Sequence, residues 1–157
     1  QLAFLGIINQ EKIDKIKELY KSFILFENDY LVKYFPNVPL KYIFNVQAGM
    51  VKFFIKNFSE SVDKIDIEKF KGRLGVGMGS TERMDLLRDA INEALESPWL
   101  QKKAAHYTII FNGNILENDI KFHIDAFSSL NYSIKVNRNP SMGRRIDVLI
   151  ISHENWE

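Results

Sequence analysis

The sequence predicts an α/β protein, of the kind also described as α+β, with a mixed sheet near its end. Two observations support this fold class. Short β-rich runs alternate with amphipathic stretches, and the last two β-rich runs are separated by a turn alone. The chain has 157 residues, which suits one domain, or one domain with part of another. With 46% hydrophobic and 26% charged residues, the composition excludes a disordered chain.

The elements follow from these patterns in chain order. The β-rich runs are predicted strands, which cover residues 2–8, 22–26, 73–78, 107–111, 132–136 and 146–152. The amphipathic stretches are predicted helices, which cover residues 12–20, 40–58, 81–96 and 116–130. Residues 28–39 are predicted to form a loop because Pro36 and Pro39 interrupt them, and residues 59–71 form a polar loop that leads into a strand.

The helix at residues 40–58 is the strongest of these predictions. Its apolar side chains form two neighbouring stripes, one of Leu40, Ile43, Phe44, Val51, Phe54, Ile55 and Phe58, and one of Val46, Met50 and Phe53. A helix this apolar is expected to be largely buried, between two layers or two domains.

Charge and composition exclude several classes of function. Lys plus Arg is 21 and Asp plus Glu is 20, so the net charge of +1 gives no reason to expect a nucleic acid or a membrane as partner. Cysteine is absent, which excludes disulfides, thiolate metal sites and cysteine nucleophiles. His106, His123 and His153 lack metal-ligand spacing and are interpreted as structural. No segment resembles a signal peptide or a membrane span, so we expect a cytoplasmic protein, and the start at Gln1 suggests a fragment or a processed form.

Two segments are candidates for chemistry. The glycine-rich run at residues 75–80 follows a predicted strand and precedes a helix, as a phosphate-binding loop does, but its spacing completes no known phosphate motif. Asp63 and Asp66 lie three residues apart and could orient a water molecule or hold a divalent cation. Taken alone, both segments are more often structural.

Several segments together resemble the later half of the bacterial tubulin homologue FtsZ and its tubulin-like relatives. The clearest is residues 139–152, Asn-Pro-Ser-Met-Gly-Arg-Arg-Ile-Asp-Val-Leu-Ile-Ile-Ser, which resembles Asp-x-x-Met/Leu-Gly-Asp-Glu-Ile-Arg-Val-Thr-Val-Ile-Ala-Thr. Further segments match in the same order, at residues 23–31, 61–67, 74–79, 97–100 and 107–113.

The resemblance implies a GTP site that is divided between subunits. One subunit holds GTP, and the loop after the central helix of the next subunit supplies acids that polarise the attacking water. By the match, Asp66 and Asp63 are these catalytic acids, while Asn28 contacts the guanosine and Phe44 packs on the base. GTP would be bound mainly by a segment outside this chain, with Mg²⁺ as a candidate companion and no metal site in the chain itself. Gly49 stands where the family has the acid that reads the guanine edge.

The resemblance also implies a domain organisation. Residues 1–38 would be the tail of a nucleotide-binding domain, residues 39–58 a buried central helix, and residues 59–157 a C-terminal activation and polymerisation domain with a mixed four-stranded sheet and flanking helices. The full protein would be a filament-forming cytoskeletal GTPase that self-associates head to tail, as in cell division. Two alternatives remain: a catalytically degenerate scaffold or filament cap, and an unrelated α/β enzyme that uses residues 75–80 to bind nucleotide.

Overall fold

The computed structural model describes residues 2–5 and 10–155. Its strands are β1 (Leu2–Leu5), β2 (Ser22–Leu25), β3 (Lys71–Thr81), β4 (His106–Gly113), β5 (Tyr132–Arg138) and β6 (Ile146–Asn155). They form one mixed sheet in the spatial order β1-β2-β3-β6-β4-β5. The pairs β1–β2, β2–β3 and β4–β5 are parallel, whereas β6 is antiparallel to both β3 and β4.

The helices connect these strands on both faces of the sheet. They are α1 (Gln10–Leu19), α2 (Asn28–Tyr34), α3 (Leu40–Glu60), α4 (Leu87–Leu95) and α5 (Glu117–Ile120). Short 3₁₀ segments cover Val62–Lys64, Ile67–Lys69, Met84–Leu86, Lys121–Phe127 and Pro140–Met142. The predicted fold class, a mixed sheet with flanking helices, is therefore confirmed. Residues 59–157 contribute the four predicted strands, β3 to β6, and β1 and β2 extend the sheet to six strands at its β3 edge.

Two apolar clusters divide the core between the faces of the sheet. On one face, Ile43 and Phe54 of α3 pack with side chains of β2, β3, β4 and β6. On the other face, Leu87 and Ile91 of α4 pack with Ile120 of α5 and with side chains of β4 and β6. The strands in the middle of the sheet are buried on both sides, which explains why residues 109–111 and 148–151 are continuous apolar runs.

The central helix is less buried than its sequence predicts. The described buried side chains of α3 are Ile43, Phe54 and Asn57, whereas Leu40, Phe44 and Ile55 are 58%, 41% and 49% exposed. Ile43 and Phe54 of the first stripe pack in the core, and the second stripe, Val46, Met50 and Phe53, packs partly buried against it. Leu40, Phe44 and Ile55 of the first stripe face outward in this chain, and we call these three residues the outward stripe. The expectation that residues 40–58 are largely buried is therefore wrong for this chain.

Further segments differ from the sequence prediction, among them the predicted helix at residues 116–130, which is α-helical over Glu117–Ile120 and 3₁₀ over Lys121–Phe127. Residues 28–34 form α2 rather than a loop, because both prolines lie beyond its last residue and the buried Leu31 anchors it. Residues 59–71 contain the last turn of α3 and two 3₁₀ turns before β3 begins. The predicted strand at residues 2–8 is observed over Leu2–Leu5, and residues 6–8 lie outside the described part of the chain.

The glycine-rich run lies inside β3 and is covered by α4. A Cβ atom on Gly77 would lie 2.2 Å from the carbonyl oxygen of Ala94, and one on Gly79 would lie 1.9 Å from that of Ala90. Glycine therefore allows the helix to pack closely against the strand. Since the run is neither a loop nor accessible, it cannot hold a phosphate, which removes the alternative of a nucleotide loop at residues 75–80.

Candidate functional site: the acid turn at the end of the central helix

Asp63 and Asp66 lie on a compact turn that follows α3. We call residues 61–67 the acid turn. Its backbone is closed by hydrogen bonds from the Lys64 amide to the Ser61 carbonyl at 2.9 Å and from the Ile65 amide to the Val62 carbonyl at 3.3 Å. Asp63 lies in the first 3₁₀ turn, and Asp66 immediately precedes the second. Two exposed carboxylates are thus presented on a hydrogen-bonded backbone, where they could orient a water molecule.

The carboxylate of Asp66 has one weak partner. Lys69 Nζ lies 3.8 Å from Asp66 Oδ2, and the Asp66 side chain is 54% exposed. An exposed pair at this distance stabilises the fold little and leaves the carboxylate open to solvent. The geometry is compatible with a contact to another molecule at Asp66.

Buried side chains anchor the acid turn to the core. Ile65 and Phe70 belong to the core, and the Phe70 ring contacts the His153 ring with centroids 4.5 Å apart. The backbone between Asp66 and Phe70 is held by two further hydrogen bonds, to the carbonyl oxygens of Asp66 and Ile67. The turn is therefore a structured connection between α3 and β3 rather than a polar loop.

A row of four polar side chains crosses the sheet beneath the last turn of α3. We call Ser80, Asp147, Asn112 and Asn137 the polar row. The register pairs Ser80 with Asp147, Asp147 with Asn112, and Asn112 with Asn137, so the row spans four adjacent strands. Ser80 Oγ donates to Asp147 Oδ1 at 2.8 Å, and Asn137 Nδ2 donates to Asn112 Oδ1 at 2.9 Å.

Three side chains of α3 contact this row. Asn57 Nδ2 donates to Asp147 Oδ2 at 3.0 Å, and Asn57 Oδ1 accepts from Asn112 Nδ2 at 2.8 Å. Glu60 Oε2 accepts from the same Asn112 nitrogen at 2.7 Å, and Lys56 Nζ lies 3.5 Å from Asp147 Oδ2. Both asparagines and Asp147 are fully buried.

Asp147 is a buried charge with satisfied hydrogen bonds. Burial on its own raises the pKa of Asp147, but hydrogen bonds from Arg145, Asn57 and Ser80 outweigh it, so that the net pKa lies below the usual value. Arg145 Nε donates to Asp147 Oδ1 at 2.8 Å. The FtsZ-like motif has an acid and a base at these two positions, and this chain has them in the opposite order.

Sequence reasoning did not identify the polar row as functional. A signal exists, because Asp147 interrupts an apolar strand and Asn57 interrupts an apolar helix. The pairing of four strands that are distant in sequence could not be derived from that signal.

The predicted nucleotide contacts lie near the other end of α3. Asn28 is the first residue of α2, and Phe44 is in the second turn of α3, 41% exposed. From Phe44 to Glu60 the helix rises about 24 Å, so Phe44 and the acid turn cannot contact the same small ligand within one chain. A Cβ atom on Gly49 would meet no atom within 4 Å, so the space beside the position expected to hold the guanine-reading acid is open among the described residues.

Two of the three histidines, His106 and His153, are buried and make side-chain contacts within the fold. His153 is buried, with Nε2 3.0 Å from Thr108 Oγ1, and burial together with the nearby His106 lowers the pKa of His153 to about 4. His106 Nε2 lies 2.6 Å from Ser133 Oγ. Within residues 2–5 and 10–155, no group of three or more His, Asp or Glu side chains is placed to hold a metal ion, and no helix is long and apolar enough to cross a membrane.

Comparisons with known proteins now define the fold. No family model and no curated protein sequence matches the chain. Among solved structures, it is similar to FtsZ of M. jannaschii, with a TM-score of 0.71 and 17% identity over 97% of this chain. It is also similar to CetZ2 of Haloferax volcanii, a GTPγS-bound protofilament, with a TM-score of 0.67 and 9% identity over 96% of the chain.

A third similar structure is also a protofilament. TubZ of Bacillus thuringiensis serovar israelensis, solved as GDP-form protofilaments, gives a TM-score of 0.58 and 12% identity over 98% of this chain. The chain spans about half of each structure, namely 54%, 54% and 53% of the FtsZ, CetZ2 and TubZ chains. The chain therefore has the fold shared by the tubulin-like proteins FtsZ, CetZ and TubZ, over about half of their length.

Proposed function

We propose that this chain is the later half of a filament-forming GTPase and that its acid turn activates GTP hydrolysis on the adjacent subunit. The observation that carries this proposal is the exposed pair Asp63 and Asp66 on a turn held by hydrogen bonds and by the buried Ile65. In phosphoryl transfer the protein acts mainly by positioning groups and stabilising charge, so a fixed carboxylate that aligns water suits this reaction.

The separation of the two candidate sites supports a composite active site. The nucleotide contact predicted at Phe44 lies about 24 Å along α3 from the acid turn, and the one predicted at Asn28 is on α2, before that helix begins. Head-to-tail association brings one end of a subunit to the opposite end of the next. GTP, with Mg²⁺ as a candidate companion, would then lie between the two, bound mainly by residues outside this chain. Such a protein would act in the cytoplasm.

The outward stripe of α3 supports a further part of the proposal. Leu40, Phe44 and Ile55 are exposed in this chain, although their spacing is that of a core helix. In the full protein, a nucleotide-binding domain would cover this stripe, and residues 1–38 would be its tail.

A catalytically degenerate scaffold or cap is the second candidate. Gly49 favours it, because open space lies where the family has an acid that accepts two hydrogen bonds from guanine. Such a subunit would join filaments without turnover of its own.

The test uses the full-length protein in a sedimentation assay with GTP, GDP or ATP, with phosphate release followed in parallel. Asp66→Asn should lower phosphate release per polymer mass by about 100- to 10,000-fold and leave GTP-dependent assembly intact, with a smaller loss for Asp63→Asn. Glu68→Gln is the matched control, because Glu68 is an exposed acid two residues further along. Assembly without phosphate release in the wild type would favour the scaffold.

A further inference from the structure

We propose that the polar row and the last turn of α3 form a clamp that positions the acid turn, with Asn57 as its central positioning residue. The effect of the clamp on catalysis rests on the proposed GTPase function. Its structural claim can be tested independently.

The first step of the argument is the in-register placement of the row. Ser80, Asp147, Asn112 and Asn137 occupy directly paired positions on β3, β6, β4 and β5. Every strand that carries the row is held by its ladder neighbours, so the row is a rigid base rather than a flexible surface. Asn112 and Asp147 are 0% exposed, which excludes water as their main partner.

The second step is the pair of contacts from α3. Asn57 and Glu60 are three residues apart and therefore lie on the same side of the helix. Asn57 bonds to β6 through Asp147 and to β4 through Asn112, and Glu60 bonds to β4 through the same asparagine. Contacts to two strands at two levels of the helix fix both its rotation and its position along its axis.

The third step is the short path from the clamp to the acids. Glu60 is the last residue of α3, and the buried Ser61 follows it directly. Asp63 is three residues from Glu60. Asn139 Nδ2 also donates to Glu60 Oε2 at 3.1 Å, which connects the β5–β6 loop to the same point. A shift of the helix end therefore shifts the start of the acid turn.

The fourth step concerns the strength of the network. Fully satisfied buried polar networks make a structure rigid, and those that include a charge have the stronger hydrogen bonds. Displacing a catalytic group by about 1 Å can cost about 100-fold in rate. A clamp on the helix end thus has a function beyond stability.

Hydrogen exchange in the full-length protein tests the clamp without reference to GTP. The reporters are the Lys64 and Ile65 amides, which close the acid turn. Asn57→Asp places a second carboxylate beside Asp147 and should speed exchange at both reporters by about tenfold or more. In the double variant Asn57→Asp with Asp147→Asn, the pair again has a single carboxylate, now at position 57. Exchange should return to within about threefold of the wild type.

Asn131→Asp is the matched control. Asn131 lies just before β5, at the end of the strand away from Asn137, and bonds to the Ala105 carbonyl at 3.0 Å. It makes the same chemical change outside the clamp, and exchange at Lys64 and Ile65 should stay at the wild-type rate. Equal exchange in Asn57→Asp and Asn131→Asp would overturn the clamp.

Glu60→Ala keeps the test decisive if Asn57→Asp does not fold. Glu60 is exposed, so its removal should leave the fold intact, while exchange at the reporters rises. Phosphate release per polymer mass should fall about 10- to 100-fold, with the Kd for GTP unchanged. Unchanged exchange would reject the clamp. Faster exchange at the reporters in Glu60→Ala would support the clamp. If Asp66→Asn at the same time releases phosphate at the wild-type rate, the proposed function is rejected while the clamp stands.

Discussion

At its last turn, α3 is joined to the sheet by Asn57, Glu60 and Lys56, each of which has a partner in the polar row. Among the described residues, the first half of the helix is held by the buried side chain of Ile43, by the partly buried Val46 and Met50, and by a hydrogen bond from Gln47 Nε2 to the Phe26 carbonyl at 2.8 Å. The same helix is therefore fixed at the end that precedes the acid turn and exposes aromatic surface at the other. The difference indicates that this chain itself holds in place the end of α3 that precedes Asp63 and Asp66, through side-chain contacts to the sheet.

The largest expected effect contrasts two phenylalanines on the two faces of α3. Phe54 is fully buried and its ring contacts Phe26 and Phe58, whereas Phe44 is 41% exposed. Phe54→Ala should lower the free energy of unfolding by about 4 kcal/mol, because it leaves a cavity in the core. Phe44→Ala should lower it by less than about 1 kcal/mol in this chain. Urea denaturation followed by tryptophan fluorescence measures both, and equal losses would show that the outward stripe is covered.

The second effect concerns the pH dependence of stability and His153, whose ring contacts Phe70 just after the acid turn. Because the pKa of His153 is lowered to about 4 in the folded state, the unfolded chain binds the proton first as the pH falls below about 6.5. Stability from the neutral ring is complete above that pH and is lost towards pH 4. The expected loss between pH 7.5 and pH 4.5 is about 2–3 kcal/mol.

Denaturation curves at several pH values check this slope. His153→Asn is the control, and its stability should depend less on pH over the same range. Thr108, His106 and Phe70 face the His153 ring. The pKa of His106 is also lowered, first by burial and then by the charges of Lys69 and Lys135, so His106 contributes to the loss of stability at low pH in the same direction. A variant with an unchanged slope would contradict the assignment to His153.

The smallest effect tests the weaker end of α3. Gln47→Met keeps the volume and removes the hydrogen bond to Phe26. The free energy of unfolding should fall by about 1 kcal/mol, the usual net value of one hydrogen bond. Thermal denaturation compared with Lys52→Met, an exposed position on the same helix, measures the difference. A loss as large as that of Phe54→Ala would mean that this end is held as firmly as the other.

Much of the fold could be predicted from the sequence. The runs at residues 107–111, 132–136 and 146–152 share one sheet, as predicted. They could be recognised because strands in a sheet core have strongly apolar or alternating sequences. The exposure of Leu40 and Phe44 could not be predicted, since periodicity defines the apolar sides of a helix but not what covers them. Helix α2 is not predictable from the prolines, because Pro36 and Pro39 follow its last residue and do not interrupt it.

The candidate site was predicted in part. Asp63 and Asp66 were found from the order of motifs, and the structure places them on an exposed turn, while their catalytic role stays a prediction. Asn57 and Asp147 were not singled out, since their partnership depends on a register between elements 90 residues apart. The domain boundaries at residues 38 and 58 also stay predictions.

The most direct test of the account measures phosphate release from mixed filaments of wild-type and Asp66→Asn full-length protein at constant polymer mass. If each GTP depends on the acid turn of one neighbouring subunit, the rate should fall in proportion to the fraction of Asp66→Asn subunits and approach zero in pure mutant filaments. A rate that stays at the wild-type value in pure Asp66→Asn filaments would contradict the account.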